Sequence, residues 1–215
     1  EETASLYKTI NTDATANLAQ QALNLGVRSF VFLSTVAVYG VHCTTAPLTA
    51  HSTINPTSYY GQSKWKAEEI LTALFEESAA TLTILRPAMV YGPGAPGNFS
   101  RLSRLVGAGY PLPLGAFKNR RHFLFIDRLV QYITGALERT APDIAIQLAA
   151  DEKPMSTKDL IATAAQWENK TVRFLSVPPG LIRLPLFLFG KRELWEKIGM
   201  DFEMEIHNIP GEDLS

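Results

Sequence analysis

A tyrosine and a lysine lie four residues apart in the stretch "PTSYYGQSKWKAEE" at 56–69. Residues i and i+4 of a helix share one face, about 6 Å apart along the axis, so Tyr60 and Lys64 are predicted neighbours. A phenol has an ordinary pKa of about 10, and a close cation can lower that pKa by roughly 1 to 3. The pair therefore predicts a general acid or base at Tyr60. The alternative is two surface residues that fall one turn apart.

Two further polar sites follow apolar runs. Ser34 ends the run "SFVFLS" and Thr35 follows it directly, and "ILRPAMVYGPG" contains the end of the next run along the chain. In an open α/β sheet, ligands bind at the carboxyl ends of the strands, and these three sites are predicted to meet there. The alternative for Thr35 alone is a hydroxyl that caps a strand end.

Helical and strand patterns alternate along the chain. A helix over 6–25 stops at Gly26, the strand "SFVFLS" follows, and a helix over 59–77 precedes the strand "TLTILR". Further on, "FLFIDRLVQYITGALER" predicts a strand and a helix, "IAIQLA" and "TVRFLSV" predict strands, and "PPGLIRLPLFLF" predicts an apolar helix. Continuous apolar strands that alternate with helices indicate an α/β fold with a doubly wound parallel sheet and a smaller C-terminal region.

Composition narrows the class of protein. The net charge of -1 provides no general attraction for nucleic acid or anionic lipid, and no apolar run approaches the roughly 20 residues of a membrane span. We therefore expect neither as a partner. The single cysteine, Cys43, excludes an internal disulfide and fits a cytoplasmic protein. The four histidines show no metal-ligand spacing, so no metal site is expected.

Taken together, these motifs resemble the extended short-chain dehydrogenases/reductases, in the NAD-dependent epimerase/dehydratase group that acts on nucleotide sugars. The resemblance covers most of residues 6–135. It rests on the segments "NTDATANLAQQA", "FLSTVAVYG", "PTSYYGQSK", "LRPAMVYGPG" and "NRRHFLFID".

The resemblance implies a role for each matching residue. Tyr60 would be the catalytic acid/base, Lys64 would lower its pKa and hold the nicotinamide ribose, and Thr35 would bind the reacting sugar oxygen. The cofactor would be NAD or NADP. Besides Tyr60 and Lys64, the residues implied in binding it are Asn11, Leu33, Ser34, Pro87, Ala88 and Val90.

Three cations stand in the stretch "KNRR" at 118–121. Guanidinium groups fit phosphate oxygens in paired contacts, although a solvated loop is the alternative. The resemblance favours Arg121 as a ligand of the substrate diphosphate. It places Asn98, and Leu114 in the "YPLPLG" loop, near the nucleotide.

The stretch "GPGAPG" at 92–97 satisfies the pattern G-x-G-x-x-G, but Pro93 and Pro96 remove N–H donors that a dinucleotide loop needs. The family's own loop would precede Asn11, and this chain does not contain it. We therefore expect 1–90 to be the second half of a dinucleotide-binding domain, and the 215 residues without that loop are expected to be inactive. The rest, 91–215, is expected to be mainly substrate-binding, with 122–148 returning to the main sheet.

The resemblance also bears on the reaction. A 4,6-dehydratase needs a carboxylate pair directly after the threonine, where this chain has Val36 and Ala37. The expected activity is therefore a nucleotide-sugar 4-epimerase or 4-reductase, and the alternative is a non-catalytic binding or regulatory subunit. The helices at 6–25 and 59–77 resemble a pair that forms a homodimer interface.

Overall fold

A computed structural model describes residues 2–94, 111–167 and 169–206. Its first helical stretch has three parts, α1 (Glu2–Tyr7), a π-helical segment (Lys8–Asp13) and α2 (Ala14–Asn24). The further helices are α3 (Tyr59–Glu76), α4 (Ile126–Leu137), α5 (Thr157–Trp167), α6 (Pro179–Leu188) and α7 (Arg192–Gly199). The strands are β1 (Ser29–Leu33), β2 (Thr81–Pro87), β3 (Met89–Tyr91), β4 (Phe123–Phe125) and β5 (Ile144–Ala149).

The main sheet has three parallel strands in the order β1-β2-β5. Phe32 of β1 lies opposite Ile84 of β2, and Ile84 lies opposite Ile146 of β5. Because β2 is central, its apolar residues are buried on both faces of the sheet. The predicted parallel α/β sheet is confirmed, and its strands follow the apolar runs of the sequence.

Helices cover the two faces of this sheet. On one face, Ala19 of α2 and Ala67 of α3 are buried against Ile84, since small side chains let both helices approach the strands. On the other face, Leu129 and Tyr132 of α4 pack against β2 and β5. Adjacent residues of β2 therefore serve different cores, as the pleat of a strand requires.

Beyond the main sheet, β3 and β4 form a second, two-stranded parallel sheet. Helices α5, α6 and α7 enclose a separate apolar cluster around Leu114, Phe117 and Trp195. The predicted strand at 171–177 is wrong. In its place an extended segment makes one isolated bridge, from Phe174 to Leu112.

The last described segment returns to the body of the chain. Phe202 forms a bridge with Arg121, and Met204 forms one with Leu48. Within the three described ranges, no helix is long and apolar enough to cross a membrane.

Candidate active site

Tyr60 and Thr35 meet at the carboxyl end of β1. Thr35 follows the strand and begins the short 3-10 turn Val36–Tyr39, where its Oγ1 accepts a hydrogen bond from the Ala37 N–H at 3.2 Å. The Thr35 side chain lies close enough to the Tyr60 hydroxyl to hydrogen-bond it and to act against the rise of its pKa. Thr35 is therefore both a cap, which was the alternative interpretation, and a neighbour of the tyrosine.

A glycine allows this approach. Gly61 follows Tyr60 in the first turn of α3, and a Cβ at Gly61 would lie 2.7 Å from the Ala37 carbonyl oxygen. Any other residue would push the start of α3 away from the turn that carries Thr35. The Ser58 hydroxyl caps the helix by accepting from the Gly61 N–H at 3.1 Å, which fixes where the helix starts.

The π-helical segment holds the same turn of α3 from the other side. Asn11 Nδ2 donates to Ser63 Oγ at 3.1 Å, and Ser63 Oγ donates to the Tyr60 carbonyl at 2.8 Å. Thr12 Oγ1 donates to the Ser63 carbonyl at 2.9 Å. Asn11 was predicted to lie near the cofactor; here its amide supports the backbone of Tyr60. Thr12 and Ser63 were missed in the sequence.

Lys64 lies one turn after Tyr60 and reaches the end of β1. Its Nζ donates to the Leu33 carbonyl at 2.9 Å and lies 4.8 Å from the centre of the Phe32 ring. Burial lowers the pKa of Lys64, and the nearby Glu68 carboxylate opposes that shift. The ammonium is therefore directed at a strand end, next to Leu33, which was itself predicted to bind the cofactor.

That Lys64 lowers the pKa of Tyr60 stays a prediction. Burial raises the pKa of Tyr60 above its ordinary value of 10.0, and the hydrogen bond from Thr35 only partly opposes that rise. At neutral pH the phenol is protonated, so Tyr60 is poised as a proton donor.

Ser34 was predicted to bind cofactor, but its side chain points away from Thr35 into the interior. Its hydroxyl donates to the carboxylate of Glu68, which is only 1% exposed. Successive residues of an extended chain point to opposite sides, so Ser34 and Thr35 cannot both face the cleft. A cofactor contact of Ser34 would therefore come from its backbone, and it stays a prediction.

Glu68 belongs to a buried polar network that sequence reasoning missed. Arg86, also 1% exposed, donates from Nε to both Glu68 oxygens at 3.1 and 3.2 Å, and from Nη1 to the Tyr39 hydroxyl at 2.7 Å. Burial lowers the pKa of Arg86, but the hydrogen bonds and charge of Glu68 outweigh burial and leave it raised. The network joins β2, α3 and the turn that follows Thr35.

The segment after β2 was predicted to line the cofactor with Pro87, Ala88 and Val90. Ala88 is buried, and its N–H donates to the Ala149 carbonyl at 2.9 Å. Val90 lies in β3 and packs against the apolar cluster that contains Leu129 and Tyr132 of α4. The backbone of this segment thus crosses from the main sheet to the small one, and its cofactor contacts stay a prediction.

Of the residues predicted to bind the substrate, Thr35 lies next to Tyr60, and the described residues Leu114 and Arg121 have other partners. Asn98 lies outside the described residues. Leu114 is buried in the apolar cluster with Phe117 and Trp195, so its side chain is a core contact. Arg121 Nη1 donates to the carbonyls of Glu196 and Met200 at 3.0 and 2.7 Å.

Arg121 therefore caps the end of α7. Its Nη2 also donates to the His42 carbonyl at 3.2 Å, and burial lowers its pKa to about 10. The guanidinium is engaged by three backbone oxygens of the chain itself, and contact with a substrate diphosphate stays a prediction.

Replacing Arg121 by Ala is expected to lower the free energy of unfolding by about 3 kcal/mol, the upper end for hydrogen bonds to a charged group. Urea unfolding of the full-length protein measures this. The matched control is Arg120→Ala. Arg120 is exposed and pairs with Glu203 at 3.0 Å, so its loss should cost far less. Equal losses for the two variants would contradict the capping role.

Comparison with known proteins decides the family. The model of the NAD dependent epimerase/dehydratase family matches residues 1–149, more than half of the chain. The chain belongs to this family. The resemblance inferred from the motifs is thereby confirmed.

Several members are similar to the chain. A UDP-glucose 4-epimerase of Vibrio cholerae is 34% identical over 210 residues, which cover 95% of this chain and 63% of the relative. An N-acetyl-alpha-D-glucosaminyl-diphospho-ditrans,octacis-undecaprenol 4-epimerase of Escherichia coli O157:H7 is 29% identical over 176 residues, 81% of this chain and 53% of the relative. The chain thus spans between half and two thirds of these curated relatives.

A solved structure has the same fold. The UDP-glucuronic acid 4-epimerase from Bacillus cereus, in complex with NAD, matches with a TM-score of 0.68 at 24% identity. The match covers 81% of this chain and 59% of that chain.

Proposed function

We infer that the full-length protein is an NAD(P)-dependent enzyme that converts a nucleotide-activated sugar through a 4-keto intermediate, as a 4-epimerase or a 4-reductase. The observation that carries this proposal is the hydrogen bond between Thr35 and Tyr60 at the carboxyl end of β1. Membership of the family and the 4-epimerases among its relatives support the reaction type. We assign the reaction to the cytoplasm, with which a single cysteine is consistent.

The residues of the chain fit the nicotinamide end of such a cofactor. Lys64, at the end of β1, would hold the ribose, next to the Leu33 carbonyl it already contacts. The backbone of Pro87, Ala88 and Val90 would line the ring from the neighbouring strand. When bound, NAD(P) would supply the hydride chemistry at C4 of the sugar, which is the removal of a hydride and its return.

Proton transfer at the sugar oxygen would be the work of Tyr60. In the direction of reduction, the protonated phenol donates its proton to the oxygen on C4 as that oxygen gains negative charge. Thr35 holds the same oxygen and the phenol in one hydrogen-bonded group, which fixes their distance. In the direction of oxidation, Tyr60 must first lose its proton, and the hydrogen bond from Thr35 stabilises the phenolate.

Two other activities fit less well. Val36 and Ala37 occupy the positions after Thr35 where a dehydratase needs carboxylates, which disfavours water elimination. A non-catalytic binding subunit is disfavoured because Tyr60, Thr35 and Lys64 are all present at one strand end.

An assay of the full-length protein tests the proposal. UDP-linked sugars and their 4-keto forms are supplied with NAD(P), while the absorbance of reduced nicotinamide and the product stereochemistry are followed. An inverted C4 without net cofactor change identifies an epimerase, and net oxidation of reduced cofactor identifies a reductase. If neither occurs with any such sugar, the proposal fails.

A sugar diphosphate carried on a polyprenol is a second candidate substrate. The Escherichia coli O157:H7 relative is named for such a compound. An exposed apolar face of α6, which includes Leu184 and Leu188, favours this candidate because a lipid-linked substrate resides at a membrane. Assaying polyprenol-linked N-acetylglucosamine beside UDP-N-acetylglucosamine separates the two.

A homodimer through the helices 6–25 and 59–77 is part of the proposal. Leu6, Ile10 and Leu18 are exposed apolar residues on the first of these stretches, and Tyr59 is exposed on α3. A second copy would cover them. Light scattering of the full-length protein tests this, and a monomer would overturn it.

A further inference from the structure

One side of helix α6 is apolar and open to solvent. Leu181, Leu184 and Leu188 share a face by helical spacing and are 66%, 61% and 77% exposed, and Phe189 directly after the helix is 79% exposed. We call these four residues the outer face of α6. The opposite face is already used, because Ile182 and Leu186 pack against the cluster around Trp195. Helices apolar on all sides belong in a core or a lipid environment, so the outer face predicts a partner.

The charges around α6 indicate what kind of partner. From 169 to 192 the sequence contains five cations and no aspartate or glutamate. The five are Lys170, Arg173, Arg183, Lys191 and Arg192. The guanidinium carbons of Arg183, on α6, and Arg192, at the start of α7, lie 5.0 and 5.9 Å from the centre of the Phe187 ring, which holds both cations next to α6. Arg192 also pairs with Glu196 at 2.8 Å, so the other four cations carry the excess positive charge. The overall charge of -1 therefore conceals a basic segment.

We propose that the outer face of α6 docks on an anionic lipid surface. Apolar side chains that enter the boundary of the bilayer, with lysine and arginine at the headgroups, are the recognition chemistry of interfacial helices. With 10 residues, α6 is far too short to span a membrane and would lie in its surface. A second copy of the chain is a poorer occupant, since a two-fold contact would set these cations against each other.

Vesicle co-sedimentation of the full-length protein tests this proposal without any turnover, so its failure leaves the proposed reaction untouched. We expect binding to vesicles of phosphatidylcholine with phosphatidylglycerol, weaker binding as salt is raised, and little binding to phosphatidylcholine alone. Leu184→Glu with Leu188→Glu should weaken binding by at least about tenfold, because two apolar contacts are replaced by charges that anionic lipid repels.

Two further variants keep the test independent of folding defects. Arg183→Gln with Lys191→Gln leaves the apolar face intact and should weaken binding by about fivefold for each cation removed. Val130→Glu, at an exposed apolar position on α4, should bind like the unmodified protein.

Three results would overturn the proposal. The first is no binding of the unmodified protein to anionic vesicles, and the second is undiminished binding by the Leu184→Glu, Leu188→Glu variant. The third is a change of oligomeric state in that variant without vesicle binding, which would assign the outer face to a second copy.

Discussion

Replacing Tyr60 by Phe is expected to lower turnover of the full-length protein by about 10²- to 10⁴-fold, the usual contribution of a general acid or base. The ring and its packing against Tyr7, with centroids 5.8 Å apart, are kept, and only the proton and the hydrogen bond to Thr35 are lost. Binding of the nucleotide sugar should change little, because the phenol acts on the reacting oxygen. Steady-state kinetics and calorimetric binding of the substrate measure both effects.

Tyr59→Phe is the matched control. Tyr59 precedes Tyr60 in the same first turn of α3 and is 57% exposed. Its loss should leave turnover nearly unchanged, since the Tyr60–Thr35 hydrogen bond is untouched. If Tyr60→Phe were as active as Tyr59→Phe, the acid/base role would be refuted, whatever the fate of the substrate assignment.

Several parts of this site could be predicted from sequence because they follow from short-range rules. The apolar runs that became β1 and β2 determined where the strands end, and parallel strands bring their carboxyl ends to one edge. That placed Thr35 and the segment after Pro87 on the same side of the sheet as the start of α3. The helical spacing of Tyr60 and Lys64 was read correctly, and the lysine ammonium lies at the end of β1.

Side-chain direction and partners distant in sequence were harder to predict. Strand alternation alone implies that Ser34 and Thr35 face opposite sides. The prediction for Arg121 followed the general preference of guanidinium for phosphate. In the structure its partners are carbonyls more than 70 residues away. No local pattern in "KNRR" indicates that Arg121 contacts the end of a helix that begins at Arg192.

The buried pair of Glu68 and Arg86 had a partial signal. Glu68 lies on the same helical face as Lys64, Leu71 and Phe75, so a carboxylate stands on the face that packs on the sheet. A charge on an inward face requires a partner of opposite sign. Arg86 ends an otherwise apolar strand run, but pairing the two requires knowing that α3 packs along β2.

Replacing Glu68 by Gln is expected to lower the free energy of unfolding by about 3 to 5 kcal/mol, the usual cost of leaving a buried charge without its partner. Arg86 would keep its charge, and water cannot reach it, because both residues are 1% exposed. The hydrogen bond of Ser34 to Glu68 would weaken as well, and Ser34 directly precedes Thr35 in the chain. Urea unfolding of the full-length protein measures the stability.

The control is Glu69→Gln in the next position of α3. Glu69 pairs with Lys66 at 3.2 Å on the surface, so its loss should cost about 0.2 to 1 kcal/mol. A small loss for Glu68→Gln would show that the Arg86 charge is solvated in solution.

The double variant Glu68→Leu, Arg86→Met separates the cost of an unpaired charge from the value of the pair. Removing both charges leaves neither one uncompensated, so the double variant should be more stable than Glu68→Gln alone. It should nevertheless lose turnover, because Ser34 and Tyr39 lose the partners that hold the turn after Thr35. A double variant with full stability and full turnover would mean that the network does not position Thr35.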